Sequence, residues 1–213
     1  MCHTGTSMVP LMDGKEHHFF CVGVYNGLAV LMDRETGSYW DHITGECVHG
    51  PLQGEKMEML LLGQMTARQA LDRWPDLQLA LSKQPPFRRF VLQPLMNFFG
   101  RFGIYPPGFK GTMIQRDRRL PDMTSGVGIM TPQVKRFYPI DVIEQAGGEL
   151  RDTLEGRPVL ISVDEDGFLE VDYEDTEAPQ DVPQHLFTRW YGFALTYPGC
   201  GIYGEDLSSR APS

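Results

Sequence analysis

Short apolar runs separated by turn residues dominate the first part of the chain. Residues 19–24 and 27–32 are two such runs, and the dipeptide Asn26-Gly27 joins them. This arrangement predicts a β-hairpin, because both residues tolerate the positive φ angles of a type I′ turn. The polar stretch 33–40, with Gly37 near its centre, predicts a second hairpin. The pattern therefore favours short antiparallel strands.

A few segments show helical spacing instead. The clearest is 66–74, which starts at the N-cap candidate Thr66 and is stopped by Pro75. Further helices are predicted at 139–145 and 187–195. The other predicted strands are short and bounded by turn residues, at 57–62, 78–81, 127–130, 135–138, 157–163 and 168–172.

The stretch 84–125 lacks a clear period and is rich in proline, glycine, arginine and aromatic residues, which predicts an ordered connection packed on the protein. It separates a first half, 1–83, from a second half, 126–205. The two halves are weakly similar in sequence pattern, since each has a helix that ends before a proline, Pro75 or Pro198. We therefore predict one β-rich α+β domain over residues 1–213, built from two related halves of short antiparallel strands with a few short helices.

The net charge of −9 argues against nucleic acid as a partner and against attraction of the whole chain to anionic lipid. The charge is unevenly spread: residues 84–120 carry seven arginines and lysines against one acid, whereas 149–182 carry twelve acids against two arginines. No apolar stretch approaches the length of a membrane span. The N-terminus lacks the layout of a signal peptide, so the chain as written is expected in the cytoplasm, or exported if a natural N-terminal extension is missing.

The four cysteines are too scattered for a disulfide framework and contain no C-x-x-C motif. Cys21 and Cys47 lie in apolar runs, which predicts small buried side chains. Cys200 lies in a glycine-rich turn. Cys2 alone has a chemically suggestive neighbour, His3.

An ordered series of short motifs resembles the bacterial and archaeal family called domain of unknown function 3179 (DUF3179). The motifs extend over nearly the whole chain, at 25–26, 33–40, 45–46, 50–54, 117–121, 138–140, 152–158, 190–194 and 197–199. The resemblance implies no established reaction, so substrate and cofactor stay unknown. Within these motifs a structural network is expected from short polar side chains and anchoring aromatics, namely Asn26, Asp33, Arg34, Thr36, Ser38, Trp40, Arg118 and Trp190.

The resemblance also bears on the N-terminus. The family opens with a segment like C-x-x-C-G-T, some relatives are selenoproteins, and Cys2 matches the second cysteine of that segment. The first thiol or selenol position would precede Met1. The resemblance thus marks Cys2, with His3 beside it, as the candidate catalytic site.

Three functions follow from these residues. The first is thiol or selenol redox chemistry at Cys2 with a small-molecule or protein thiol as partner. The second is a non-catalytic ligand- or protein-binding module with a groove on its β framework. The third is metal or haem binding at Cys2-His3. Whether the protein is an enzyme stays open, because the common hydrolase, nucleotide and zinc-protease motifs are absent.

Two further expectations concern side chains. The histidines His17, His18, His42 and His49 could meet Asp33 or Asp41 at a metal, although strand histidines are more often surface residues, and we expect no metal site. The tryptophans Trp40, Trp74 and Trp190 each lie in an apolar pattern and are expected to be buried.

Overall fold

Strands form the larger part of the secondary structure in the computed structural model, with 36% strand and 19% helix. The structure describes residues 4–78, 85–102, 104–105, 107–164, 168–178 and 181–205. These proportions confirm the predicted β-rich α+β class.

The strands are short and distributed over both halves of the chain. Those of the first half are β1 (Ser7–Met8), β2 (Leu11–Met12), β3 (Lys15–Glu16), β4 (Phe19–Tyr25), β5 (Leu28–Asp33), β6 (Tyr39–Asp41), β7 (Cys47–His49) and β8 (Met59–Leu60). Those of the second half are β9 (Ser125–Met130), β10 (Lys135–Pro139), β11 (Glu149–Leu154), β12 (Arg157–Val163), β13 (Leu169–Tyr173), β14 (Gln184–Arg189) and β15 (Gly201–Ile202).

The helices are also short. They are α1 (Ala67–Arg73), a π-helical turn (Arg88–Leu92) that runs into α2 (Gln93–Arg101), a 3₁₀ turn (Phe109–Thr112), α3 (Ile140–Gln145) and α4 (Trp190–Thr196). As predicted, α1 begins at Thr66, whose side chain and that of Gln69 form a reciprocal capping box.

The main sheet of the first half has the strand order β4-β5-β6-β7 and is antiparallel, with two small pairs, β1-β8 and β2-β3, beside it. The second half contains a sheet ordered β14-β9-β10-β15, in which only β10 and β15 are parallel, and a three-stranded sheet ordered β11-β12-β13. Strand β14 is an edge strand of its sheet.

The predicted Asn26-Gly27 turn has the two positive φ angles that a type I′ turn requires, 51° and 71°. Asp13 with Gly14 and Glu155 with Gly156 show the same pair of positive angles at two other hairpins. Local turn chemistry therefore sets the register of three hairpins.

One hydrophobic cluster joins the two halves. Leu28 and Ile43 from the first half pack with Phe137, Trp190 and Phe193 from the second half in a single buried group. A second cluster around Ile161 and Val127 lies within the second half. The interior thus continues across the boundary between the halves.

Three sequence expectations were wrong in their side-chain burial or element type. Trp40 and Trp190 are fully buried as expected, but Trp74 is 49% exposed because it lies just after α1 at the surface. Cys21 is exposed, not buried. The predicted helix 187–195 begins only at Trp190, since the preceding residues pair with β9 as strand β14.

Where the structure describes it, the connection 84–125 is partly helical rather than irregular, and its C-terminal part packs on the protein. Tyr105 and Phe109 contact Tyr191, whereas Phe90 and Phe98 of the helical part are exposed. The predicted strand 57–62 is reduced to β8. The predicted strand 78–81 falls mostly outside the described residues. Among the residues that the structure describes, no helix has the length and apolar character to cross a membrane.

Candidate functional site

The predicted catalytic pair, Cys2 and His3, lies outside the described residues. The chain that follows the pair is attached to both halves: the hydroxyls of Thr4 and Thr188 share a 2.6 Å hydrogen bond, and the Thr6 hydroxyl donates to the carbonyl of His42 at 2.6 Å. The first described residues therefore lie against the edge strand β14.

A cleft of about 630 Å³ opens beside this segment. Both halves line it. The first half contributes Gly5, Thr6, Lys56 and the stretch 59–62, and the second half contributes Lys135, Arg157, Tyr173 and the stretch 181–186. A second cavity of similar volume shares Leu62 and His185 with it and extends toward Gln64 and Phe187. His185 is thus common to both cavities.

The tautomer of His185 follows from its hydrogen bond. Its Nδ1 lies 2.9 Å from the carbonyl oxygen of Pro183. A carbonyl oxygen only accepts, so Nδ1 carries the proton and the lone pair is on Nε2. Burial lowers the pKa of His185 below its usual value, and the Pro183 carbonyl offsets this only in part. At neutral pH the cleft therefore holds an imidazole that can accept a proton.

The cationic side chains of the cleft differ in how they are paired. Arg157 is held by two carboxylates, Asp175 and Asp181, and stacks on the ring of Tyr173 at 3.6 Å. Hydrogen bonds to the two carboxylates raise the pKa of this arginine. Lys56 has a longer and exposed contact with Glu46, 3.7 Å between Nζ and Oε1. Arg157 is thus structural, and Lys56 is the more available cation.

The Asp33 network is the other conspicuous polar cluster. Fully buried Asp33 accepts hydrogen bonds from Trp40 Nε1 at 2.8 Å and from the backbone and hydroxyl of Thr36. The Thr36 hydroxyl also contacts that of Ser38 at 2.7 Å. Burial alone would raise the pKa of Asp33, but the hydrogen bonds from Trp40 and Thr36 and the charge of His17 outweigh it, and the pKa is lowered.

The Asp33 network contains side chains of the types that bind metal ions. Ligand atoms of His17, Asp33 and Glu35 lie within 4.8 Å of one another. Both carboxylates, however, already accept hydrogen bonds, Asp33 from Trp40 and Thr36, and Glu35 from the backbone and ring of His18. The other two predicted histidines point elsewhere, since His42 contacts the carbonyl of Ala29 and His49 contacts the ring of Tyr39. The network supports the hairpin turn rather than a cation.

The remaining motif residues lie in two places. Asn26 accepts a hydrogen bond from the backbone of Ile114 through its side chain, and Arg34 is exposed beside the Asp33 turn. Trp190 donates to the carbonyl of Asp117 at 3.1 Å.

The arginine that stacks on Trp190 is Arg119, at 5.2 Å, and it also forms a bidentate pair with Asp117. Arg118, which the motif analysis selected, is exposed.

The two buried cysteines do not offer an activated thiol. Burial raises the pKa of Cys47, and burial raises that of Cys200 to about 11. Cys21 is exposed on β4.

His185 was missed by sequence reasoning. The aromatic run 187–195 predicts a helix, and this prediction conceals the alternation of strand β14. That alternation, with Leu186 and Thr188 buried on one face and His185 on the other, is the signal that could have identified it.

Comparison with known proteins identifies the family of this chain. A sequence profile of the family described as "Protein of unknown function (DUF3179)" matches residues 1–206. Neither the curated proteins nor the solved structures contain a significant match.

Proposed function

Because the chain belongs to the DUF3179 family, whose description assigns no activity, we propose from the cleft geometry that it performs thiol-disulfide exchange through Cys2. The observation that carries this proposal is the neutral imidazole of His185 in the cleft that Gly5 and Thr6 line. Cys2 is two positions before Thr4, and two residues of chain span at most about 7 Å.

Thiol-disulfide exchange needs a proton acceptor and a positive charge that stabilises the thiolate. His185 Nε2 takes the thiol proton, and Lys56 in the same cleft favours the thiolate. The Cys2 thiolate then attacks one sulfur of a low-molecular-weight or protein disulfide. A bond forms between the Cys2 sulfur and that sulfur, the disulfide bond of the substrate breaks, and the departing thiolate receives the proton from His185. A second thiol releases Cys2 by the same exchange.

The test is the alkylation rate of Cys2 with iodoacetamide as a function of pH, measured by peptide mass spectrometry. The apparent pKa of Cys2 is expected below the ordinary value of about 8.5. In His185→Asn, whose amide can still donate to Pro183 but has no base at Nε2, we expect alkylation of Cys2 at pH 7 to slow by about 100-fold, because the thiol loses its general base.

Three controls accompany the alkylation measurement. Cys2→Ser removes the labelled peptide, the exposed Cys21 reports general reactivity in the same sample, and His18→Asn replaces a surface histidine that does not line the cleft. The redox proposal is contradicted if Cys2 has an ordinary pKa and His185→Asn does not change its alkylation rate.

The second candidate is a non-catalytic binding module. It is favoured by the fact that residues of both halves line the cleft, so that a ligand would bridge them and raise the melting temperature. Stabilisation of Cys2→Ser by a small ligand, together with an unreactive Cys2 in the parent chain, supports this candidate over the first. Metal or haem binding at Cys2-His3 is tested by metal content and visible absorbance, and Cys2→Ser would lose either signal.

A further inference from the structure

The N-terminal part of the connection differs in charge from the rest of the protein. The segment 85–116, here called the basic aromatic segment, carries five cationic side chains and no acid, whereas the whole chain has a net charge of −9. The cations are Arg88, Arg89, Arg101, Lys110 and Arg116. A surface that approaches this segment therefore meets a locally positive field.

The same segment exposes large apolar side chains. Phe90 and Ile114 are each 71% exposed and Phe87 is 64% exposed. Phe98, Phe102 and Ile104 are exposed as well. Exposed aromatic and aliphatic groups in such a continuous stretch mark an interaction surface rather than scattered surface residues.

These side chains are carried on a helix. The π-helical turn Arg88–Leu92 continues into α2, so the two form one helical rod. The rings of Phe98 and Phe102 lie 4.8 Å apart and share one side of the rod. Arg89 lies 5.7 Å from the ring of Phe90, which puts a cation at the edge of the apolar surface.

The C-terminal part of the segment attaches this rod to the body. Tyr105 stacks on Phe109 at 5.3 Å, and both rings pack edge-on against buried Tyr191. The hydroxyl of Thr112 accepts a hydrogen bond from the backbone of Gly27. The exposed helix is thus connected to the folded protein through an anchored neighbour.

We propose that the basic aromatic segment docks this protein onto an anionic lipid surface. Phenylalanine, leucine and isoleucine side chains enter the headgroup boundary, and the arginines beside them pair with lipid phosphates. Aliphatic side chains exposed beside the rings, among them Val91, Leu92 and Leu95, have no face on which bases stack, so lipid fits better than nucleic acid. The helix lies on the surface and does not span the bilayer.

The test is cosedimentation of the full chain with vesicles, either pure phosphatidylcholine or a mixture with one third phosphatidylglycerol. Binding is expected to the anionic vesicles and to weaken in high salt, since salt screens charge pairs. The variant Arg88→Gln/Arg89→Gln should bind the anionic vesicles about 25-fold more weakly, at about fivefold for each arginine near the surface. Phe90→Ser/Phe98→Ser should bind at least about tenfold more weakly, because each exposed ring loses its apolar insertion.

Matched controls lie outside the segment. Phe20 on β4 is 42% exposed, and Arg68 in α1 is exposed, so Phe20→Ser and Arg68→Gln remove the same chemistry elsewhere. Both should bind like the parent chain. Circular dichroism and the melting temperature verify that all variants are folded.

Several results would overturn the proposal. They are equal binding to neutral and anionic vesicles, equal losses in the control variants, and the absence of vesicle binding. Self-association without lipid that Phe90→Ser/Phe98→Ser abolishes would assign the surface to a second copy of the chain instead. Tight binding of a single-stranded oligonucleotide without vesicle binding would assign it to nucleic acid.

Discussion

The carboxylate of Asp33 is fully buried, yet it stabilises the first hairpins. Three donors from Trp40 and Thr36 compensate for the loss of water, and these residues are close in sequence, so the tight turn at residues 33–40 brings them together. His185 differs from Asp33, because its surroundings favour the neutral form of its side chain. Its hydrogen bond to Pro183 fixes the tautomer, but burial keeps the ring uncharged. The buried carboxylate of Asp33 is therefore structural, whereas the half-buried ring of His185 is chemically available.

Asp33→Asn is expected to lower the free energy of unfolding by about 2 kcal/mol at pH 7, because an amide cannot accept from Trp40 and Thr36 together. The folded pKa of Asp33 lies below its ordinary value near 3.8, so the contribution is complete above that value and is lost as the pH falls through the lowered folded pKa. Urea denaturation at pH 7 and pH 2 should show the difference between parent and variant shrinking. Asp76→Asn, at an exposed position, is the control. A difference in free energy of unfolding between the parent and Asp33→Asn that does not change with pH would contradict the role of the ionised Asp33 carboxylate.

At the scale of elements, the hairpins were predictable because their signals are local. Asn26-Gly27 and the cap at Thr66 specify a turn and a helix start without any distant contact. Strand β14 was harder to predict, because its alternation is short and its strand conformation depends on pairing with β9, a partner far away in the sequence.

The helix over 88–101 was hidden by prolines. Pro94 lacks an N–H group and usually ends or kinks a helix, but here the π-helical turn Arg88–Leu92 passes directly into α2, so the helical rod continues across the proline. The two residues of the candidate site could not be predicted from local patterns alone. Cys2 was selected through the family resemblance, and His185 could be selected only after residues 184–189 were assigned to a strand.

Two glycines in equivalent hairpin turns offer an element-scale prediction. Gly14 and Gly27 have similar φ angles, 74° and 71°, but a Cβ at Gly14 would meet nothing within 4 Å, whereas one at Gly27 would lie 3.0 Å from the Tyr191 ring and 3.1 Å from Met113. Gly14→Ala should cost about 1 kcal/mol from backbone strain alone. Gly27→Ala should cost about 2 to 3 kcal/mol, since the neighbours must also move. Chemical denaturation measures both, and equal costs would show that the second turn is not packed on Tyr191.

For the whole molecule, the shared core decides whether the two halves are independent. Leu28 and Ile43 of the first half are buried among Phe137, Trp190 and Phe193 of the second half. The cleft is likewise lined by both halves, so separation of the halves would open it. A core that is continuous across the boundary favours one cooperative unit, as expected for the predicted single domain over residues 1–213.

Ile43→Ala is expected to destabilise the protein by about 3 kcal/mol, through lost burial and the cavity it leaves. If the halves unfold together, hydrogen exchange measured by mass spectrometry should show the same loss of protection in β5 of the first half and in β12 of the second half. Val159→Ala, a truncation in the separate cluster of the second half, is the mirror variant and should lower the protection of β5 as well. Loss confined to the half that carries the substitution, in both variants, would instead divide the chain into two domains.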